Sequence, residues 1–188
     1  PYTTLFRSHS RLRWLNSQIG FDDEVIAPYI PLNVQDKTIS LLGRKVTLQP
    51  NGFPAQITSY FKETLTEIGT EGLDILSRPM ELTTGENWEN LDFTYTKRKA
   101  GTLGWHATNQ NNQFIMNLDA QIESDGNMEY KVVLIARKDG EINDIALRTE
   151  LAPNIAQYMM GLGEKGGYCP QNLDWKWGVE KNQDALWT

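Results

Sequence analysis

Cysteine is almost absent. Cys169 is the only one in 188 residues, so no internal disulfide can form and no multi-cysteine zinc site can be built. Histidine is nearly as scarce. With only His9 and His106, a histidine-rich metal centre is excluded, and neither a metal nor a cofactor is expected. No apolar run approaches the roughly 20 residues that a membrane-spanning helix requires. Positive charge is in deficit: 18 Lys and Arg stand against 24 Asp and Glu, for a net charge of −6 and a pI near 5.0. That balance argues against a nucleic-acid partner and against a polybasic membrane patch.

What is present suits a folded chain, because 39% of residues are hydrophobic and 10% aromatic, well above a disordered composition. Period-two patterning dominates. Phe114, Met116, Leu118, Ala120 and Ile122 alternate with Asn117, Asp119, Gln121 and Glu123, as a strand with one buried face requires. Ser124-Asp125-Gly126-Asn127 supplies a turn, and Met128, Tyr130, Val132, Leu134 and Ala136 resume the alternation. This is the clearest β-hairpin in the chain. Val133 and Ile135 make the second arm apolar on both sides, so its centre is expected to be covered on both faces.

Residues 38–42 and 44–48 flank a bend at Gly43, and Pro50-Asn51-Gly52 forms a turn before a strand running from Phe53 to Phe61. Further strands are expected over residues 79–83, 91–96, 102–108 and 142–151. Residues 69–73 read as a loop. Helical signal is thin: one turn over 64–68 and two over 153–160, with Pro153 at a first helical position and Gly161 as a stop. Many short strands punctuated by Gly, Asn, Asp and Pro point to an all-β antiparallel sandwich with one or two short helices. Residues 1–8 resemble the in-frame translation of a sequencing adapter and are set aside as a non-native tail. Residues 9–188 are then expected to form one β-sandwich domain, cut short at its C-terminal end.

Each candidate for chemistry has a plainer alternative. Asp22-Asp23-Glu24 is the densest carboxylate cluster, and paired carboxylates can hydrolyse glycosides. On an extended strand Asp22 and Glu24 converge while Asp23 points away, and the plainer reading is a solvated acidic loop. Asp119, Glu123 and Asp125 read as an ordinary solvated face. Cys169 reads as a buried, inert thiol. The glycine-rich stretch 161–167 lacks the G-K-[ST] ending of a phosphate loop and reads as a tight or mobile loop. No residue is assigned a catalytic role. The aromatics say more. Trp175 and Trp177 share a face if extended, and Tyr158 and Tyr168 flank the glycine stretch. Flat aromatic faces suit stacking on sugar rings, so these four are the candidate carbohydrate-binding or interdomain residues.

Several blocks carry a resemblance. They are His9-Ser10-Arg11-Leu12-Arg13-Trp14-Leu15-Asn16-Ser17 with Ile19-Gly20-Phe21-Asp22-Asp23-Glu24-Val25, then Gly43-Arg44-Lys45-Val46-Thr47-Leu48 with Asn51-Gly52-Phe53-Pro54-Ala55-Gln56-Ile57. A third runs from Tyr158 through Gly167 and ends in Trp175-Lys176-Trp177 and Asn182-Gln183-Asp184. Together they resemble the β-sandwich region of large bacterial glycoside hydrolase family 123-like proteins, over Ser10 to Trp187, with residues 67–112 alike in pattern only. The resemblance implies a sandwich, with a mutarotase-like supersandwich as its larger variant, lying before a (β/α)₈ catalytic barrel in the same polypeptide. It also implies a secreted or periplasmic N-acetylhexosaminidase-type parent acting on glycan by substrate-assisted hydrolysis through an adjacent Asp-Glu pair on the barrel. Asp23-Glu24 matches that pair in letters but lies in the sandwich segment, so no catalytic role is carried over. The expected role is a non-catalytic module that supports the barrel; the alternative is an autonomous carbohydrate-binding module.

Overall fold

The computed structural model describes residues 22–142, 144–161 and 164–172. Two meanders, each running strand to neighbouring strand, make up most of it. The first comprises β1 (Asn33–Gln35), β2 (Thr38–Leu41), β3 (Arg44–Leu48), β4 (Pro54–Phe61) and β5 (Ile68–Asp74), in the spatial order β1-β2-β3-β4-β5. A short β6 (Glu81–Thr83) follows. The second meander comprises β7 (Glu89–Arg98), β8 (Thr102–Gln110), β9 (Phe114–Glu123) and β10 (Met128–Ala136), in the order β10-β9-β8-β7. β11 (Ala146–Arg148) pairs with β6, and β12 (Tyr158–Gly161) pairs with β13 (Glu164–Tyr168). All pairings are antiparallel.

The alternation in the sequence decides which faces meet. Ile39, Leu41, Val46 and Leu48 on the five-stranded sheet join Leu103, Trp105, Ala107, Met116, Leu118 and Ile122 on the four-stranded sheet in one buried cluster. Two sheets that share a core across their inner faces form a β-sandwich. Phe53 closes the middle, stacked on Tyr130 at 5.8 Å between ring centroids. Trp105 meets Tyr130 edge-on at 6.0 Å and donates its indole N–H to the Gly52 carbonyl at 2.9 Å. Burial pushes the Tyr130 phenol far above its ordinary pKa. The buried Asn109 side chain bonds the Asn51 carbonyl at 3.1 Å and accepts from Asn90 at 3.1 Å. The turn between β3 and β4 is thereby tied to the opposite sheet.

The structure departs from the sequence expectations at several places. No helix occurs among the described residues. Residues 64–68 close the β4–β5 hairpin instead, with Leu65 at φ 57° and a Lys62–Glu67 ion pair of 2.6 Å across the base; a left-handed residue there cannot continue a helical turn. Of residues 153–160, the first three form a turn and the last three enter β12, because β13 supplies a ladder partner. Residues 69–73 are not a loop but the body of β5. The absent side chain of Gly72 makes room for an aromatic ring, since a Cβ there would lie 3.0 Å from Tyr60 Cε1 and 2.5 Å from Thr58 Cγ2. Val133 and Ile135 are exposed on β10, not covered. β10 is an edge strand whose outward face has no second layer among the described residues.

Candidate functional site

The acidic cluster resolves into different roles. Asp22 Oδ1 accepts the Glu24 backbone N–H at 3.0 Å, and both residues are exposed. Asp23, the member expected to point away, is the one engaged. Its carboxylate takes Lys97 Nζ and Lys99 Nζ at 2.5 Å each and the Thr102 hydroxyl at 2.6 Å. Hydrogen bonds from Lys97, Lys99 and Thr102 hold its pKa well below the ordinary 3.8. With the Leu32 N–H bound to the Ala100 carbonyl at 2.8 Å, these bonds fasten residues 22–32 to the β7–β8 turn. A carboxylate saturated in this way has no spare basicity for proton transfer. Because the folded-state pKa is depressed, the latch contributes above pH 3.8 and is lost as pH falls through the lower folded value. Asp23→Asn at neutral pH is expected to mimic that loss, with faster amide exchange at Leu32 and unchanged exchange at core positions such as Leu118.

A second array lies on the outward face of the four-stranded sheet. His106 Nδ1 stands 2.7 Å from Asp119 Oδ1, His106 Nε2 stands 3.0 Å from Thr108 Oγ1, and Thr108 reaches Asn117 Oδ1 at 3.3 Å. The order Asp–His–Thr resembles a nucleophile relay. Its surroundings cannot support one. β8 is paired on both sides, by β7 and β9, so the amides around Thr108 are spent in the ladders and none faces a developing oxyanion. The array orients polar groups on a rigid sheet. Composition and motif spacing do not single out His106, although a signal exists: His106 and Thr108 share parity on β8, and the hairpin register sets Asp119 directly opposite His106.

Of the four aromatic candidates, the structure brings two together. Tyr158 and Tyr168 are cross-strand partners, stacked at 4.9 Å and 30°, and 66% and 78% exposed. A hydrogen bond with Tyr168 raises the Tyr158 phenol above its usual pKa of 10. Met160 stands exposed one step along the same strand face. Trp175 and Trp177 lie outside the described residues. In the glycine stretch β12 pairs with β13, with Met159 opposite Gly167 and Gly161 opposite Glu164; a phosphate loop would need a helix N-terminus after it, and β13 stands there. Cys169 is exposed, contrary to the buried thiol expected, because β13 has no covering layer among the described residues. Among these residues no group of three His, Cys, Asp or Glu side chains is placed to hold a metal ion, and no helix is long and apolar enough to cross a membrane.

The search of curated proteins and the search of solved structures return no match. A family model described as "Glycoside hydrolase 123, third domain" matches residues 32–188, which takes in Lys97, Lys99 and Thr102 but leaves Asp23 itself outside the matched span. With that match covering most of its length and an all-β antiparallel sandwich beneath it, the chain belongs to the family of glycoside hydrolase 123 third domains.

Proposed function

We propose that the chain is a non-catalytic β-sandwich module of a large secreted bacterial glycoside hydrolase of the N-acetylhexosaminidase type, supporting the catalytic barrel that adjoins it in the same polypeptide. The observation that carries this reading is the state of Asp23. The chain's adjacent Asp-Glu pair has its aspartate consumed by two ammonium groups and a hydroxyl, so it serves as a fastening. Trp175 and Trp177 would then pack at the surface facing the barrel. Assayed alone against aryl N-acetylhexosaminides, the chain is expected to be inert. Turnover that disappears on Asp23→Asn or Glu24→Gln would overturn the non-catalytic role.

The exposed Tyr158–Tyr168 stack favours a second reading, an autonomous carbohydrate-binding module. Two phenol rings held on paired strands offer a preformed platform for the C–H face of a sugar. Calorimetric titration of the chain with an oligosaccharide panel should then give binding that weakens on Tyr158→Ala or Tyr168→Ala. A flat titration leaves the supporting role alone.

A further inference from the structure

On the outward face of the four-stranded sheet, Gly104 floors an open cleft of about 300 Å³, rimmed by Thr96, Lys97, Asp119, Gln121, Glu129 and Lys131. All four strands contribute. Two cross-strand rows meet there: Glu129, Gln121, Gly104 and Lys97 in one, and Lys131, Asp119, His106 and Thr94 in the next. The glycine makes the depression, since a Cβ at 104 would stand 2.9 Å from Thr96 Oγ1 and 3.2 Å from Lys97 Cβ.

The rim is held in place while keeping hydrogen-bonding capacity. Asp119 uses Oδ1 on His106 at 2.7 Å. Glu129 uses Oε2 on the Gln121 amide at 3.2 Å. Lys97 is oriented by Asp23. Among the described residues, Asp119 Oδ2, Glu129 Oε1, Gln121 Oε1 and the Lys131 ammonium have no protein partner. Asp119, Glu129 and the Asp23 carboxylate behind Lys97 are offset by Lys97, Lys99 and Lys131, so the rim is close to electrically balanced and favours a neutral ligand over an anion or a cation. Trp105 lies beneath at 0% exposure with its N–H already bonded to Gly52, so no aromatic platform is offered. What remains on the rigid strands is three acceptor oxygens beside the Lys131 donor, a set that matches vicinal hydroxyls. The volume sits at the low end of ligand pockets, which run from about 300 to 1,000 Å³, room for one sugar unit and not for a chain.

We infer that this cleft is a subsite for a single neutral sugar residue, recognised through its hydroxyls by Gln121, Glu129, Asp119 and Lys131. The inference rests on the glycan-degrading reading of the parent but is independent of the tyrosine platform, which lies on a different hairpin. The test is a ¹H–¹⁵N NMR titration of the whole chain with N-acetylglucosamine, N-acetylgalactosamine, galactose and glucose in turn, with inorganic phosphate as the charged comparison. Saturable, millimolar-range shifts at the Gln121 side-chain amide and the Gly104 backbone amide are expected with at least one sugar. Losing one hydrogen bond from the rim should weaken binding about tenfold, so Gln121→Ala and Glu129→Ala should each do so while keeping a dispersed spectrum. Glu67→Ala, at the β4–β5 hairpin, should leave the affinity unchanged. Shifts confined to Tyr158 and Tyr168 overturn the cleft and leave the aromatic platform standing. No shift with any sugar, or a response to phosphate alone, overturns it outright and leaves the supporting role intact.

Discussion

Trp105→Ala should be among the most destabilising single substitutions in the chain. The indole is fully buried at the centre of the shared core, and truncating such a ring to alanine costs about 3–5 kcal/mol. A further penalty comes from the Gly52 carbonyl, which loses its donor at 2.9 Å while remaining inside, a desolvation cost of about 1–3 kcal/mol. Against a typical total stability of about 5–15 kcal/mol, the variant should be marginally folded. Its melting temperature should fall by roughly 6–20 °C on the core term alone. Denaturant titration followed by far-UV circular dichroism should show a lower midpoint with an unchanged slope. Trp105→Phe shifts the weight between the two contributions, because it keeps a six-membered aromatic ring in the core while removing the N–H and the rest of the indole. A Trp105→Ala midpoint equal to that of the parent chain would mean that the two sheets do not share this core.

Gly52→Ala should be the second large effect, for reasons of backbone and space together. Gly52 has φ +94°, a conformation that costs a side-chain-bearing residue about 1–3 kcal/mol. Its Cβ would stand 2.8 Å from Leu118 Cδ2 and 3.1 Å from Ala107 Cβ, both on the opposite sheet. Forcing a methyl between them adds about 1–3 kcal/mol of overpacking. Gly85 isolates the first part: it has φ +90°, and a Cβ there would have no neighbour within 4 Å, so Gly85→Ala should show the backbone cost without the packing cost. The difference between the two variants, read from denaturant midpoints, measures how tightly the β3–β4 turn is wedged between the sheets. Equal costs would show that the turn sits free of Leu118 and Ala107.

Most of the fold is legible because strands with one buried face leave a period-two record. The alternation from Phe114 to Ile122, the Asp125-Gly126 turn and the alternation from Met128 become the β9–β10 hairpin, with Met128 opposite Ile122 and Ala136 opposite Phe114. The segments that depart from expectation share a cause: their local signals are weak and their conformation is decided by a partner. Residues 69–73 hold two glycines and little apolar pattern, and they become a strand because β4 pairs with them and Tyr60 lies against Gly72. Residues 158–160 become a strand because Tyr168 stands across from Tyr158. Val133 and Ile135 have the chemistry of buried residues, yet whether a second layer covers a face is not written in the strand itself.

The candidate sites divide in the same way. Composition by itself bounds the chemistry of this chain: one cysteine leaves no internal disulfide, and two histidines leave no histidine-rich metal centre. Pattern decided the sandwich, since alternation encodes which side of a strand is apolar before any strand has found its neighbour. Only the tertiary structure decided that Asp23 is a fastening held by Lys97 and Lys99, more than seventy residues away, that His106 and Asp119 share a row, and that Tyr158 and Tyr168 stack. These are relations between strands. Sequence spacing carries the periodicity of one strand, whereas the register between two strands is set by the packing of the whole core, and that register is what brings charges and rings together.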